Sequence, residues 1–214
     1  MMEAESRLEQ TSNAHKGKTL FRGELVYLVA PDPAGDAEMF SKWMSDSEFV
    51  RLLDTDPARL LSVGKHKDWL EKDLLEEQKN DELFFLIRTL VEERTIGLVG
   101  LDGIRWVLGD AWVGIGLGER EYWGKGYGTD AMQILQRYAF DELNLHRLSL
   151  TVFDYNQRAI RSYEKAGFIV EGRSRQYLNR EGQRFDMIFM GILREEWENR
   201  ASQLQISGHL SGQL

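Results

Sequence analysis

Three apolar runs rich in β-branched and aromatic residues follow one another through the middle of the chain: Leu83 to Thr89, Thr95 to Ile104 and Ala111 to Leu117. Turn residues at Glu92 to Arg94 and at Leu108 to Asp110 separate them, so the pattern predicts a meander of antiparallel strands. An earlier strand is predicted near Leu25 to Val29, closed by Pro31 and Pro33. Between these strands the apolar spacing becomes helical. Ala37, Phe40, Trp43 and Met44 share one face of a helix predicted from Gly35 to about Met44. Trp69, Leu70 and Leu74 mark a second helix from Val63 to Glu77, after a turn at Asp54 to Pro57. His66, a single histidine on that charged helix, reads as a surface residue.

Beyond the meander, Ala131, Ile134, Leu135, Tyr138 and Ala139 recur at helical spacing and predict a helix that lays one apolar stripe on the sheet and ends near Leu143 and Asn144. His146 to Phe153 is a further strand. Asn156 is placed to cap a short helix that stops before Gly167, since asparagine satisfies a first-turn N–H and glycine accepts the left-handed turn past a helix end. A strand at Phe168 to Glu171 and a hairpin from Tyr177 to Met190, turning at Asn179 to Gln183, complete the series. Residues 1–19 are polar without a period and read as a disordered lead-in, 20–198 as one domain, and 199–214 as a flexible tail. The mixture of elements places the fold in the α/β (α+β) class.

Composition narrows the function. The 214 residues contain no cysteine, which excludes disulfides, thiolate metal sites and a cysteine nucleophile. The terminus lacks the apolar core of a signal peptide and no apolar run is long enough to span a bilayer, so a cytoplasmic protein with no membrane partner is expected. A net charge of −8 argues against broad nucleic-acid binding and favours a cationic small substrate. No H-E-x-x-H or comparable spacing implies a metal.

The chemistry gathers at Glu121 to Ala131, E-Y-W-G-K-G-Y-G-T-D-A, between the last meander strand and the amphipathic helix. Gly124, Gly126 and Gly128 allow a turn to pass close to a ligand, and the helix that follows points its unpaired N–H groups back at it. Such a corner holds an anion through backbone donors and the helix dipole, with Lys125 able to add a charge. Two familiar phosphate loops fail on spelling. No Gly-Lys-Ser/Thr follows four intervening residues, and a dinucleotide fingerprint starting at Gly124 meets Thr129 where its third glycine belongs. A nucleotide-binding protein is the rival thereby disfavoured.

The stretch resembles instead the acetyl-CoA pyrophosphate loop of the GNAT superfamily of N-acetyltransferases, Gln/Arg-x-x-Gly-x-Gly/Ala, on Trp123 to Gly128, with Trp123 where glutamine or arginine is usual. A second landmark, N-x-x-A-x-x-x-Y-x-K-x-G-F, is matched by Asn156, Ala159, Tyr163, Lys165, Gly167 and Phe168. Glu171, Gly172, Arg175, Asp186 and the late Glu196-Trp197 are similar to the ribosomal-protein alanine acetyltransferase (RimJ/RimL-like) branch.

The resemblance implies a GNAT-type α/β (α+β) fold, a mixed, mostly antiparallel central sheet with helices on both faces, and an acetyl-CoA-dependent N-acetyltransferase acting on a primary amine, a protein or peptide α-amine in that branch. Polyamines, antibiotics and other small amines remain alternatives, as does a non-catalytic acyl-CoA binder; a monomer or homodimer is expected. It implies that the main chain of Ile115, Gly116 and Leu117 pairs with the pantetheine arm. It further implies that Gly124, Lys125, Gly126, Tyr127, Gly128 and Thr129 cradle the pyrophosphate, that Asn156 adds a cofactor contact, and that Tyr163 protonates the departing thiolate. Alone, an aromatic on a helix stripe is more often core. Trp112 falls where relatives commonly carry an acidic base, which leaves Glu119 and Glu121 as substitutes, though carboxylates beside a loop are usually solvated.

Overall fold

The chain, described by a computed structural model over residues 20–72 and 81–200, opens with strand β1 (Val26–Val29) and three helices, α1 (Pro33–Met44), α2 (Ser47–Leu53) and α3 (Val63–Trp69). Strands β2 (Leu83–Thr89), β3 (Thr95–Arg105) and β4 (Asp110–Leu117) form the meander, and a tight turn at Arg120–Tyr122 leads into α4 (Tyr127–Arg137). Then come β5 (Arg147–Phe153), α5 (Gln157–Ala166) and the hairpin of β6 (Ile169–Arg180) and β7 (Gln183–Leu193). The predicted lead-in, the predicted tail from residue 201, and the stretch of the second predicted helix that holds Leu74 lie outside the described residues.

All seven strands join one sheet in the order β1-β2-β3-β4-β5-β7-β6, antiparallel except where β4 meets β5. Both faces are covered. Phe140, Leu135 and Ile134 from the α4 side pack with Val99, Leu101, Leu150 and Ile192 of the sheet. On the opposite face Phe40 and Trp43 of α1, Phe49 of α2 and Leu70 pack on Leu86 and Leu98. Burying full apolar side chains on two faces, each contributing roughly 1.5–3 kcal/mol, fixes the strand registers, because a one-residue slip would turn every core residue to the wrong side.

Local signals explain most boundaries. Asp32 accepts from the Ala34 N–H, and Pro33 occupies the first helical position, where its missing donor costs nothing; Pro33 therefore opens α1 and does not close β1. Asn156 caps α5 at the Ala159 N–H, and Gly167, at φ +102°, ends it.

Three further features differ from the sequence expectations. α2 was absent from them because S-E-F-V-R-L-L is too short to establish a helical period, although Asp46 caps it at the Glu48 and Phe49 N–H groups. β6 is one strand and not two segments, its polar middle carried through two bulges that break the alternation. His66 is buried, with 5% exposure, not a surface residue. Its Nε2 has no hydrogen-bond partner among the described residues, and burial lowers its pKa below the usual 6.5.

Candidate active site

The parallel pairing of β4 with β5 lasts for three residues, Asp110 to Trp112 against Arg147 to Ser149. Beyond Trp112 the strands diverge and leave a V-shaped gap in the sheet. A cavity of about 520 Å³ occupies this gap. Ile115, Gly116 and Leu117 form its β4 wall, Phe49, Leu52 and Leu53 its α2 wall, and Asn156, Ala159 and Tyr163 its α5 wall. A Cβ on Gly116 would lie 3.0 Å from Phe49 and 3.1 Å from Leu53, so the glycine lets α2 sit directly on the strand.

The Gly116 carbonyl is turned toward β3, 2.3 Å from where a Gly97 Cβ would stand. Strand alternation then gives the open edge to the backbone of Ile115 and Leu117, and Gly116 contributes its lack of a side chain instead of its polar groups. The Leu117 carbonyl is already used, since Trp123 Nε1 donates to it at 2.7 Å.

The glycine corner forms the far end of the cavity. Gly124 (φ +73°) and Gly126 (φ +91°) make the left-handed turn, and Gly126 is the N-cap of α4. The first N–H groups of α4 have no partner within the helix and open onto the same space. Gly128 lines the cavity, and a Cβ there would meet Leu117 Cδ1 at 3.7 Å and Ser162 Oγ at 4.0 Å, which is ordinary contact.

Two expected contributors do not line this wall. Lys125 is exposed at the tip of the turn, and the Tyr127 ring packs edge-on against Tyr122 at 5.0 Å, so only the main chain of Tyr127 remains for a ligand. The Thr129 hydroxyl is engaged with Ser162 Oγ at 2.7 Å, which ties α4 to α5.

Tyr163 faces the cavity, and its hydroxyl has no hydrogen-bond partner among the described residues. Burial pushes the phenol up to about 12, because an apolar enclosure disfavours the phenolate. The Asn156 Oδ1 accepts from the Ala159 N–H at 3.2 Å, leaving the amide NH₂ for the cavity.

Carboxylates are the other half of the site. Glu119 was expected to be solvated; it is 8% exposed, and its oxygens accept from Lys42 Nζ at 2.6 Å, Trp43 Nε1 at 2.9 Å and Arg94 Nη2 at 2.6 Å. Burial pushes its pKa up, but the hydrogen bonds and charges of these partners outweigh that and hold it below the ordinary carboxylate range. A carboxylate so committed is a poor proton acceptor. Glu121 is paired with Arg94. Asp130, at the cavity edge, accepts the N–H groups of Glu24, Leu25 and Val26 at 2.8–3.1 Å, and Glu24 is engaged too. Trp112 stands below the V beside Arg105, Asp110, Arg147 and Glu171, outside the cavity.

Arg158, Arg161 and Lys165 also line the cavity and were not among the sequence candidates. Their spacing of three and four residues was a legible signal of one basic face on α5. Phe49, Leu52 and Leu53 were missed together with α2.

Residues 26–169 match the family described as acetyltransferase (GNAT) domain. An uncharacterized N-acetyltransferase, p20, of Bacillus licheniformis is 31% identical over 163 residues, 76% of this chain and 89% of that protein. A probable N-acetyltransferase, YjcK, of Bacillus subtilis (strain 168) is 31% identical over 186 residues, 86% of this chain and 98% of the relative. Among solved structures, a spermidine N-acetyltransferase from Vibrio cholerae in complex with CoA and spermine superposes with a TM-score of 0.71 at 24% identity, covering 80% of this chain and 97% of that one. A sheet split beside a glycine corner, and a family match over the segment that builds both, lead to one conclusion: the chain belongs to the GNAT acetyltransferases, enzymes whose acetyl donor is acetyl-CoA.

Proposed function

We propose that this acetyltransferase acts on the α-amine of a peptide or amino compound, as its RimJ/RimL-like features suggest. The observation that carries the reading is the lack, among the described residues, of a free carboxylate in the cavity: Asp130 and Glu24 are both engaged and the α2 wall is Phe49, Leu52 and Leu53. A polyamine keeps several ammonium groups charged at neutral pH, and an apolar wall offers them no partner. A single α-amine with an ordinary pKa near 8 loses its proton far more readily than an alkyl amine near 10, and so makes less demand on a base.

The residues present fit the donor. Gly124 and Gly126 leave an open turn without side chains, and the first N–H groups of α4 face it, as a diphosphate requires. When bound, acetyl-CoA supplies a thioester carbonyl open to direct attack by an amine. Ile115 offers an open-edge N–H and C=O, and Leu117 an N–H, to an extended pantetheine arm as an added strand would pair. The Asn156 amide NH₂ adds a donor. Tyr163 holds a proton on its Oη at any physiological pH and serves as the acid for the departing sulfur.

The test is a panel of peptides, amino acids and polyamines, read by release of free CoA between pH 6 and 10. Peptide α-amines are expected to outperform spermidine at neutral pH, with a rate that climbs until the amine's own pKa. Faster turnover of spermidine, already flat above pH 7, would assign the site to polyamines.

A further inference from the structure

Trp123 occupies the motif position where a polar or cationic side chain is usual, yet the structure does not leave that place without a cation. The guanidinium of Arg158, in the first turn of α5, lies 3.8 Å from the centre of the Trp123 ring. The ring itself is fixed by its Nε1 hydrogen bond to the Leu117 carbonyl, so the stack sits between the end of β4 and the glycine corner. Both side chains line the cavity.

Arg158 has no hydrogen bond or ion pair among the described residues. Glu48, the acid whose field reaches it, is already paired with Arg120 at 2.6 Å. Burial pushes the Arg158 pKa down and the nearby Arg120 cation adds to this, while the field of Glu48 only partly opposes them. A partly buried guanidinium that rests on an indole ring, with none of its N–H donors spent among the described residues, is a prepared receptor for an anion.

We propose that Arg158, oriented by Trp123, is the cation that binds the diphosphate of the acetyl donor, so that a residue of α5 supplies the polar contact that position 123 lacks in this chain. The inference rests on the acetyl-CoA reading. The stack does two jobs that one side chain at position 123 would otherwise combine: Trp123 closes the β4 edge at Leu117, and Arg158 faces the phosphate oxygens. Arg161 and Lys165, further along the same face of α5, extend positive charge beyond the diphosphate, where CoA carries its 3′-phosphate.

The experiment measures equilibrium binding of CoA, 3′-dephospho-CoA and pantetheine to the parent protein, Arg158→Met and Arg158→Lys. Methionine retains a flexible stem against the indole and removes the charge. The expected result is a loss of roughly tenfold for CoA and for dephospho-CoA alike in Arg158→Met, no change for pantetheine, and partial recovery in Arg158→Lys, whose point charge lacks the planar fork. A loss confined to CoA would move Arg158 to the 3′-phosphate and overturn the assignment. Equal loss for pantetheine would make the residue a structural wall, and unchanged CoA affinity would make the stack ornamental to binding; both overturn it. Failure of the parent to bind CoA is a separate result, against the acetyl-donor reading itself.

Discussion

Tyr163 and Gly128 are the residues whose roles are most sharply testable. Tyr163→Phe keeps the ring against Phe168 and removes only the Oη proton, so kcat should fall by roughly 10²-fold while CoA affinity is unchanged. The sign of the pH dependence follows from the raised pKa: the phenol keeps its proton until about pH 12, so the rate should show no descending limb from this group below that value. A fall in rate centred near pH 10 would mean that the acid is an ordinary exposed phenol. At Gly128 the neighbours leave room for a methyl group, and alanine is the better helix former by roughly 1 kcal/mol. Gly128→Ala should therefore melt no lower than the parent and still bind CoA about tenfold or more weakly, since only the ligand needs the vacant space. Gly124→Ala, at φ +73°, should instead lose about 1–2 kcal/mol of stability through backbone strain. These glycines were legible in the sequence as spacing. Whether each serves the backbone or the ligand was not, because that depends on φ and on neighbours distant in the chain.

Among the elements, α2 has the most consequence for its size. Three of its seven residues, Phe49, Leu52 and Leu53, form one wall of the cavity, and a helix that short is not stable by itself. The hairpin of β6 and β7, together with the turn between β5 and α5, holds it. Arg180 donates to the Arg51 carbonyl at 2.5 Å and to the Asp54 carbonyl at 3.1 Å, and Tyr155 Oη donates to the Arg51 carbonyl at 2.6 Å. These donors satisfy C-terminal carbonyls that the helix cannot satisfy within itself. Arg180→Ala should free the end of α2, and amide hydrogen exchange at Phe49 to Leu53 should accelerate while α4 keeps its protection. Equal protection in mutant and parent would show that the apolar contacts of Phe49 suffice. The contact joins residues 129 positions apart, so no local reading of the sequence reaches it.

For the molecule as a whole, the buried His66 links stability to pH. Its folded pKa is depressed by burial, so the unfolded chain takes up a proton at a pH where the folded one does not. The contribution is complete above the ordinary value of 6.5 and is lost as pH falls from there toward the folded value. The melting temperature of the parent should thus decline below about pH 6.5 more steeply than that of His66→Leu, which removes the proton site and the unpaired Nε2 together. Parallel curves would place the imidazole in contact with water. A charged helix read by itself suggested exposure, and packing α3 on α1 reversed it.

The sequence by itself determined the strands of the meander, the helices α4 and α5, the caps of α5, the family, and the stretch at Gly124 to Gly128, because each is written in neighbouring residues as a period, a cap or a spacing. Tertiary structure alone decided that Glu119 is locked by Lys42, Trp43 and Arg94, that Trp112 stands below the cavity, and that Arg158 stacks on Trp123. The physical reason is the divergence of β4 from β5 after three paired residues. It opens a space whose walls come from α2, β4, the glycine corner and α5, segments far apart in the chain, and a side chain's charge partners there are set by which of those walls it faces.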